Sequence, residues 1–403
     1  MIIRAKPKYL DFENVNLDKI DIGQEIDTLY FNRGRSALLF LLSNIKRDNK
    51  LFKPTIIMQS FNCKVVIEAA HRAGWYVDLL DISYKGDFSI SINDLREVED
   101  KPNALLLTHY QGIPNTDYKE IAKYCQNNDI LLIEDMAQTY MSSIDNKVVG
   151  SLCDFAIESY AFDKPLSCGG GGGLKINNSN YKNLLLSAYG KIGKECVYKC
   201  TSDINWLKYK INIIKSCNSI ETWNLQTKSK LLFVIGIDYE KIKGSSSKYF
   251  LLKILTFLGK VERFTDNYWS YIPKKMCEKK KDLLKKQKLC YKHDKKEEEA
   301  LERILKFWGY KNILNNFTEM DIQWNRYSIL DESGKLGKML LNRSVEAGNH
   351  NWPTPLHKMY KHDTKTRQIS KTYINSETAA DFIVNIPIWS TYFQEHENEF
   401  KKR

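Results

Sequence analysis

A lysine followed by a run of glycines is the most chemically suggestive feature of this 403-residue sequence. Lys164 stands in the stretch SYAFDKPLSC, and five consecutive glycines follow it at positions 169–173. A lysine amine held in a constrained site can act as a nucleophile and form a Schiff base with a carbonyl group. Consecutive glycines let the backbone turn tightly or approach another surface closely. The pattern predicts a lysine presented at an active site; a solvated surface lysine is the alternative that the residue type alone leaves open.

An apolar stretch ahead of Lys164 predicts the element that would face it. Residues 129–138, DILLIEDMAQ, are typical of a buried parallel strand with Asp135 at its carboxyl end. Open α/β sheets bind ligands at that edge. A carboxylate there can pair with the protonated pyridine nitrogen of pyridoxal 5'-phosphate (PLP), whereas an acid that only ends a strand at a turn is the alternative.

Several blocks in a fixed order make the sequence similar to the DegT/StrS sugar aminotransferases, a family of PLP-dependent fold type I enzymes. The resemblance covers about residues 25–190 and 323–403, and it is specific because order and spacing agree across separate blocks. The matching blocks are NRGRSAL at 32–38, IIMQSFNC at 56–63 with 65–74 after it, HYQGIP at 109–114, EDMAQ at 134–138, DFAIESY at 154–160 continuing to 173, VEAG at 345–348, WPTPLH at 352–357 and NIPI at 385–388.

The resemblance implies a role for each of a set of residues. Lys164 would carry PLP as a Schiff base and move the proton between the donor's α-carbon and the cofactor. Asp135 would keep the pyridine nitrogen protonated. Further cofactor contacts are implied for Gly34, Arg35 and Ser36 through their amides at a helix start, Ser159 toward the phosphate, Gln138 toward the phenolic oxygen or the phosphate, and Phe61 or Cys63 toward the ring. Trp352 and His357 would face the substrate. Taken singly, Ser36 also fits an N-cap and Ser159 a turn.

Some positions depart from the family's pattern. Many members have an aromatic residue where Cys63 stands and a glutamate where Gly170 stands, and the position of Glu158 is commonly apolar. A related dehydratase branch has a histidine in place of the Schiff-base lysine. Lys164 therefore argues against that branch.

Composition indicates a large core and no special chemistry beyond the lysine. With 43% hydrophobic residues, the chain can form a large domain and a smaller one. No apolar run reaches eighteen residues and the start MIIRAK has no apolar signal core, so we expect a cytoplasmic protein without a transmembrane segment. Nine cysteines without CxxC spacing are expected to be reduced thiols, with Cys196 and Cys200 an incidental pair. Seven scattered histidines predict no metal site.

The net charge of +12 raises the possibility of nucleic-acid binding. Much of the excess lies in residues 274–296, where charges of both signs alternate with leucines at helical spacing. Such a pattern is typical of a solvated helix face, and we favour that interpretation over a polyanion site. No nucleic-acid partner is predicted, although a basic surface could steer a nucleotide-linked sugar toward the protein.

The predicted fold class is α/β, and the resemblance implies three regions. These are a three-layer αβα PLP-dependent transferase (fold type I) large domain at 1–190, a divergent, largely helical insertion at 191–322 and a small C-terminal α/β domain at 323–403. The small domain is expected to contain strands at 326–330 and 345–348, a helix at 334–342, an apolar run at 379–388 and a terminal helix at 392–402. The insertion contains the segments 206–217 and 249–258. The apolar segment 249–258 is typical of a core or interface helix, although peripheral membrane contact stays open for it, and 244–247 suits a hinge.

The predicted function is that of a homodimeric PLP-dependent aminotransferase. It would move the amino group of an amino acid such as glutamate to a keto-sugar attached to a nucleotide, in glycan or amino-sugar biosynthesis. A partner chain would complete the pocket, with Lys228 and Ser229 as candidates. Two alternatives stay open: another PLP reaction such as elimination or aldol cleavage on the same fold, and a non-catalytic regulator or scaffold that binds PLP or a sugar.

Overall fold

A computed structural model describes most of the chain outside residues 1–27 and 217–270. The described residues are 28–83, 86–216, 271–289, 291, 295–311, 314, 319–343, 345–348, 352–388 and 392–402. The predictions for residues 228–229, 244–247 and 249–258 lie outside them. Among the described helices, none combines the length and the hydropathy needed to cross a bilayer.

A mixed eight-stranded sheet organises the described part of the chain, in the order β1, β9, β8, β5, β4, β2, β3, β12. The strands from β8 to β12 in this order are parallel, and β9 runs antiparallel between β8 and β1. The strands are β1 (Thr28–Phe31), β2 (Thr55–Gln59), β3 (Tyr76–Leu80), β4 (Ala104–Thr108), β5 (Leu131–Asp135), β8 (Phe155–Ser159), β9 (Gly172–Ile176) and β12 (Thr366–Gln368). The parallel strand predicted to end at Asp135 is confirmed.

Helices cover both faces of this sheet because its central strands are apolar on both sides. Ile56 and Met58 on β2 pack into one core with helices α1, α2 and α5, while Ile57 packs into a second core with α3 and α4. The three-layer αβα architecture is therefore confirmed. The helices of this region are α1 (Gly34–Asp48), α2 (Lys64–Arg72), α3 (Ile92–Arg96), α4 (Tyr118–Asn127) and α5 (Lys182–Lys191).

The C-terminal region forms a separate core around a two-stranded sheet. Strands β11 (Tyr327–Leu330) and β13 (Ile383–Ile386) pair antiparallel. Three helices flank them, α9 (Leu336–Asn342), α11 (Ile374–Phe382) and α12 (Tyr392–Phe400), and the short α10 (Leu356–Met359) lies between α9 and α11 in sequence. The strand expected at 345–348 is wrong: only Val345 makes a β-bridge, and Gly348 has a φ of 135° that ends extended pairing.

Strands from different predicted regions pair with one another across the limits at 190 and 322. The limits themselves stay a prediction. Strand β12, from the predicted small domain, forms the edge of the main sheet beside β3. Arg367 on β12 fixes this edge by donating two hydrogen bonds to the buried Asp78, at 2.7 and 2.6 Å. Likewise β10 (Met320–Asp321) pairs with β6 (Ser143–Ile144), which also pairs with β7 (Lys147–Val148). The C-terminal region is therefore anchored to the large one through backbone pairing.

Most of the described middle region is helical, in α6 (Val197–Ser216), α7 (Glu278–Leu289) and α8 (Lys295–Phe307). The lysine-rich α7 has the solvated face expected for residues 274–296, since Lys279, Asp282 and Lys285 are exposed, but its opposite face also buries a charge. Lys280 is fully buried, and its ammonium donates to Glu195 and Asp203 at 2.8 Å each. Leu283 and Leu284 are buried on the same helix. The inward face of α7 thus carries a charge that two buried carboxylates neutralise.

One cysteine pair contradicts the expectation of reduced thiols. Cys200 on α6 and Cys277, immediately before α7, form a disulfide across a sequence separation of 77 residues. Spacing offered no signal for it, because the two residues meet only through the packing of α6 and α7. Cys196 is exposed. The prediction of no metal site stays a prediction.

We predict that Gly172→Ala destabilises the protein by about 1–3 kcal/mol, the usual effect of overpacking. An added Cβ would overlap the backbone nitrogen of Gly34 and the backbone carbonyl of Arg33, neither of which can rotate away. Gly190→Ala is the matched control, since a Cβ there meets nothing within 4 Å and replaces glycine within α5. Urea-denaturation midpoints measure both. Equal midpoints for the two variants would contradict the close approach.

Lys280→Met is expected to lower the free energy of unfolding by about 3–5 kcal/mol, because the buried carboxylates of Glu195 and Asp203 lose the ammonium that they share. Lys279→Met, one residue away on the exposed face, is the control and should change stability by less than about 0.5 kcal/mol. Thermal unfolding followed by circular dichroism distinguishes the two. A similar midpoint for both variants would show that Lys280 is not buried in solution.

Candidate active site

A cavity of about 330 Å³ opens at the carboxyl ends of β4, β5 and β8. The sequence predictions and this cavity agree on eight residues. Those residues are Gly34, Arg35, Cys63, Asp135, Gln138, Ser159, Lys164 and Trp352. The remaining lining residues are Arg33, Leu38, Val65, Val66, Leu106, Thr108, Ala137, Ile157, Ala161, Asp163, Gly169 and Gly170. The arrangement follows the rule that open α/β sheets bind ligands outside the carboxyl ends of their strands.

Asp135 is the last residue of β5 and lies almost wholly buried at the floor of this cavity. Its Oδ1 accepts a hydrogen bond from the Ala137 amide at 2.9 Å. Burial raises the pKa of the Asp135 carboxyl above its ordinary value, against opposing effects of Ala137, Lys164 and His109. A cation placed beside such a buried carboxyl would stabilise its ionised form strongly.

The residue before Asp135 anchors the end of β5 from behind. Glu134 is fully buried and its Oε1 accepts from the Tyr118 hydroxyl at 2.7 Å. Its Oε2 accepts from the Gly150 amide at 2.6 Å and pairs with His109 Nε2 at 3.0 Å. Because His109 Nδ1 accepts from the Asn115 amide, its Nε2 is the nitrogen that donates to Glu134. This network fixes the strand end and therefore the position of Asp135.

Lys164 reaches the cavity from the loop between β8 and β9. Its ammonium lies 3.6 Å from Asp163 Oδ2, and its side chain is 16% exposed. Although burial raises the pKa of Asp163, the charges of Lys164 and Arg326 outweigh this and hold that pKa below its ordinary value. The structure thus brings a lysine amine and the Asp135 carboxyl to one cavity, as the sequence predicted.

The glycine run lets this loop lie against the start of α1. Gly34 opens the helix, and a Cβ there would lie 2.9 Å from the Glu158 carbonyl oxygen. Gly170 has a φ of 145°, and a Cβ on it would overlap the guanidinium of Arg33. The helix start, whose first amides have no partner within the helix, is thereby left open toward the cavity. Such an end is suited to an anion.

Cys63 and Thr108 contribute one wall of the cavity. Asn62 positions both, because its Nδ2 donates to Thr108 Oγ1 at 2.9 Å and its Oδ1 accepts from the Cys63 amide at 2.7 Å. Burial raises the pKa of the Cys63 thiol. Gln138 is fixed in the same way, since its Oε1 accepts from the Gln111 amide at 3.1 Å.

Three predicted site residues lie outside the cavity lining. Phe61 is fully buried against Tyr110 and Trp352, with ring centroids 5.2 Å apart in each pair, so it supports Trp352 from behind. Ser36 turns its hydroxyl back to Asn32 at 2.8 Å, which leaves only its amide for an anion. The Ser36 amide stays available for the predicted anion contact, and the ring contact of Phe61 stays a prediction.

His357 is the third residue placed elsewhere. Its Nδ1 pairs with Ser60 Oγ at 2.7 Å and its Nε2 with Glu377 Oε1 at 3.0 Å, while its ring stacks on Tyr373 at 4.3 Å. Both ring nitrogens are therefore engaged within the protein. His357 therefore joins the C-terminal region to the segment after β2, and its predicted substrate contact stays a prediction.

Sequence reasoning missed Arg33 and Asp163 in the lining. Arg33 donates to the Asn32 carbonyl at 2.8 Å, and its guanidinium lies 3.6 Å from Asp203, the same carboxylate that pairs with Lys280. Arg33 immediately precedes the predicted Gly34, and Asp163 immediately precedes the predicted Lys164. Adjacency was therefore the only available signal, because the partner Asp203 lies in the divergent region.

Comparisons with known proteins agree with this geometry. A sequence model of the DegT/DnrJ/EryC1/StrS aminotransferase family matches residues 22–213. GDP-perosamine synthase from Escherichia coli O157:H7 is 25% identical over 105 residues, which make up 26% of this chain and only 29% of that relative.

Two solved structures cover most of the chain. A DegT DnrJ EryC1 StrS aminotransferase from Brucella abortus has a TM-score of 0.59 at 15% identity, covering 93% of this chain and 85% of its own. The E. coli GDP-4-keto-6-deoxy-D-mannose-3-dehydratase with bound hydrated PLP has a TM-score of 0.57 at 14% identity, covering 93% and 86%. At these identities the structures establish the fold alone. The family model matches the part of the chain that holds the whole cavity lining except Trp352.

Proposed function

We propose that this protein is a PLP-dependent aminotransferase that moves an amino group from an amino acid, such as glutamate, to a keto-sugar attached to a nucleotide. The observation that carries the proposal is the convergence of Lys164 and Asp135 on one cavity beside an open helix start. The family match over residues 22–213 supports it, since that family is one of aminotransferases. The pathway would be glycan or amino-sugar biosynthesis.

The residues present fit PLP. Asp135 offers a buried carboxylate whose pKa is raised by burial, which suits pairing with a pyridinium nitrogen. The glycine contacts at Gly34 and Gly170 keep the helix start open, and Arg35 adds positive charge there for a phosphate. Ser159 and Gln138 supply further polar groups. Bound in this site, PLP would act as the electron sink that makes the donor's α-carbon acidic.

The chain's own groups would bind, orient and move a proton. The Lys164 amine would act first as a general base that takes the proton from the donor's α-carbon. It would then act as a general acid that delivers this proton to the cofactor. Asp163, 3.6 Å away, would orient that amine between transfers. Cys63 and Val65 would exclude water from one side of the site, and Trp352 would bound the substrate side.

The substrate class, the oligomeric state and the location complete the proposal. A nucleotide-linked acceptor is supported by Arg33 and Arg35 in the lining and by the name of the E. coli relative, which specifies a GDP-linked sugar. We propose a homodimer because fold type I pockets are typically completed by a partner chain. A cytoplasmic location is proposed with it, from the expectation that both substrates are cytoplasmic metabolites.

A different PLP reaction is the second candidate. Lys164 and Asp135 would serve an elimination equally well, because the outcome depends on how the substrate is oriented. The E. coli dehydratase shows that the same fold also accommodates a sugar dehydratase. Against that branch, the chain retains the lysine at position 164. A non-catalytic binding protein would have no need to keep the four groups at positions 135, 138, 159 and 164 in one cavity.

The visible absorbance of the purified protein tests the proposal. After incubation with PLP, wild-type protein should gain a band that Lys164→Ala lacks, because the alanine cannot form a Schiff base. Addition of glutamate should then convert the wild-type band and release 2-oxoglutarate. Lys147→Ala, on an exposed strand away from the cavity, is the matched control and should behave as wild type.

The possible results separate the candidates. A lysine-dependent band that responds to glutamate supports the aminotransferase. A band without any response to amino acids favours another PLP reaction, and a folded protein without a band leaves the binding-protein alternative.

Asp135→Asn is expected to stabilise the cofactor-free protein while reducing turnover. The raised pKa of Asp135 means that folding favours its protonated form, so its contribution to stability is lost as the pH rises through the folded-state pKa. The neutral amide avoids this loss, and the gain should be about 0.5–2 kcal/mol at pH 8 and smaller at pH 5. Urea unfolding at both pH values measures it.

The exposed Asp282→Asn is the control and should shift neither midpoint. Aminotransfer by Asp135→Asn should fall at least 100-fold, because the pyridine nitrogen loses its counter-charge. A variant that is less stable than wild type at pH 8 would contradict the assignment of Asp135 as a buried carboxyl whose ionised form destabilises the cofactor-free protein.

A further inference from the structure

Three potential metal ligands meet between the start of α6 and the residue before α7. Glu195, Cys200 and Cys277 each place a carboxylate oxygen or a sulfur within 4.8 Å of the other two. Glu195 and Cys200 are buried, whereas Cys277 is partly exposed to solvent. Among the residues that the structure describes, this is the only group of three cysteine, histidine or acidic side chains with that spacing. None of the three lines the cavity at the strand ends, so the cluster is separate from it.

Glu195 carries a buried carboxylate oxygen that no described residue satisfies. The residue is only 5% exposed. Its Oε1 accepts a hydrogen bond from the Lys280 ammonium at 2.8 Å, whereas its Oε2 is buried and has no hydrogen-bond donor within reach. An oxygen of a charged group that is taken out of water without a new partner destabilises the protein. The unsatisfied Oε2 therefore points to a cation at the cluster that is not part of the chain.

Backbone hydrogen bonds hold the ligands together independently of the disulfide between the two cysteines. The Glu195 amide donates to the Lys275 carbonyl at 2.8 Å, and the Lys275 amide donates to the Gly193 carbonyl at 2.8 Å. These bonds fix the segment that carries Glu195 beside the segment that carries Cys277. Cys200 lies in the first turn of α6, five residues after Glu195. Three ligands from two paired segments and a helix start are thus positioned by regular backbone structure.

We propose that Glu195, Cys200 and Cys277 bind a Zn²⁺ ion when the two cysteines are reduced. Thiolates and carboxylates are both zinc ligands, and three protein ligands leave the fourth position of a tetrahedral ion for water. Two Zn–S bonds at a tetrahedral angle place the sulfurs about 3.8 Å apart. The two cysteine Cα atoms are 6.6 Å apart, so rotation of the side chains can provide that separation.

The inference runs against the expectation of no metal site. That expectation considered motifs within short segments, in which metal ligands are separated by a few residues. Cys200 and Cys277 are 77 residues apart in sequence and meet only through the packing of α6 and α7. The sequence therefore had no signal for this site.

Metal binding requires the disulfide to be opened first. A phosphine reductant supplies two electrons and becomes its oxide by taking the oxygen of a water molecule, while the two protons of that water convert the disulfide to two thiols. Zn²⁺ then displaces both thiol protons as it binds. In a reducing compartment a cellular dithiol would open the bond and be oxidised to its own disulfide. The same two sulfurs thus form either a disulfide or a metal site.

The charges around the cluster can accommodate a divalent cation. Zn²⁺ with two thiolates and the Glu195 carboxylate has a net charge of −1. The Lys280 ammonium, which donates to Glu195 at 2.8 Å, neutralises this charge. Asp203, the other acceptor of Lys280, has the Arg33 guanidinium 3.6 Å away. The buried group is therefore neutral with zinc bound, and no charge is left without a partner.

The position of the cluster gives the ion a structural role. The disulfide joins the first turn of α6 to the residue before α7, and these two helices carry Asp203 and Lys280. Asp203 in turn holds Arg33, which lines the cavity. Under reducing conditions, zinc would replace the disulfide as the cross-link that keeps the two helices docked beside the cavity.

Zinc uptake by the reduced and the oxidised protein tests the inference. Full-length protein is reduced with a phosphine, freed of reductant under argon, incubated with Zn²⁺ and desalted, and bound zinc is measured by elemental analysis. Reduced wild-type protein should keep about one zinc per chain, whereas protein with the disulfide intact should keep none. Zn²⁺ should also raise the thermal unfolding midpoint of the reduced form, because only the folded chain brings the ligands together.

Ligand variants are compared by competition with a chromogenic chelator. Cys277→Ser should lose stoichiometric zinc, and Glu195→Gln should lower the zinc affinity at least about 10-fold. Glu278→Gln removes a carboxylate next to Cys277 that is 77% exposed, and it should keep the wild-type affinity. Cys125→Ala, in a different core, is the control for the cysteine and should also keep it. Glu195→Gln retains both thiols, so it keeps the test valid if Cys277→Ser fails to fold.

Three results would overturn the inference. Reduced wild-type protein that keeps no zinc would show that the two cysteines form only a disulfide. Equal zinc uptake by the oxidised and reduced forms, or an unchanged affinity in Cys277→Ser, would assign the metal to another place. An unchanged affinity in Glu195→Gln would remove Glu195 from the ligand set. None of these measurements uses PLP or aminotransfer, so they stand whether or not the proposed function fails.

Discussion

The close backbone approach between the start of α1 and the start of β9 is the constraint on which the rest of the site depends. Gly34 and Gly172 meet there, and neither position has room for a Cβ. Because β9 pairs with β8, this contact also fixes the position of the loop that carries Lys164 relative to the start of α1. Ser159, at the end of β8, is registered opposite Gly172 and so faces the same opening. An anion-binding helix end and an amine-bearing loop therefore share one cavity.

Buried charges extend from this contact into the middle of the chain. Arg33 interacts with Asp203, Asp203 pairs with Lys280, and Lys280 also pairs with Glu195. Buried ion pairs are weak evidence for added stability, since their desolvation offsets the attraction. Their effect here is geometric, because each partner can be satisfied only when α6 and α7 are docked against the glycine-rich loop. The divergent region is thus tied to the shape of the cavity.

The sequence could predict those parts of the structure that arise from local pattern. The apolar run ending at Asp135 is a buried strand because a parallel sheet covered on both faces requires apolar residues throughout. The family blocks likewise predicted eight residues of the cavity lining. Pairings between distant segments could not be predicted: Cys200 with Cys277 and Lys280 with Asp203 depend on how two helices of the divergent region pack. Residue type alone could not decide the role of His357, since an imidazole near a site serves a hydrogen-bond network, as this one does, as readily as a substrate.

The departure from the family at position 170 has a physical explanation in the same network. Many members carry a glutamate there, whereas Gly170 in this chain has a φ of 145°, a conformation that other residues rarely adopt. A Cβ at this position would also lie against the Arg33 guanidinium, which would have to move aside. Arg33 needs a negative partner because it is largely buried, and the middle region supplies one through Asp203 at 3.6 Å. The acid near the helix start therefore comes from α6, and the glycine-rich loop lies closely against that helix at Gly169, where a Cβ would overlap the Asp203 carbonyl.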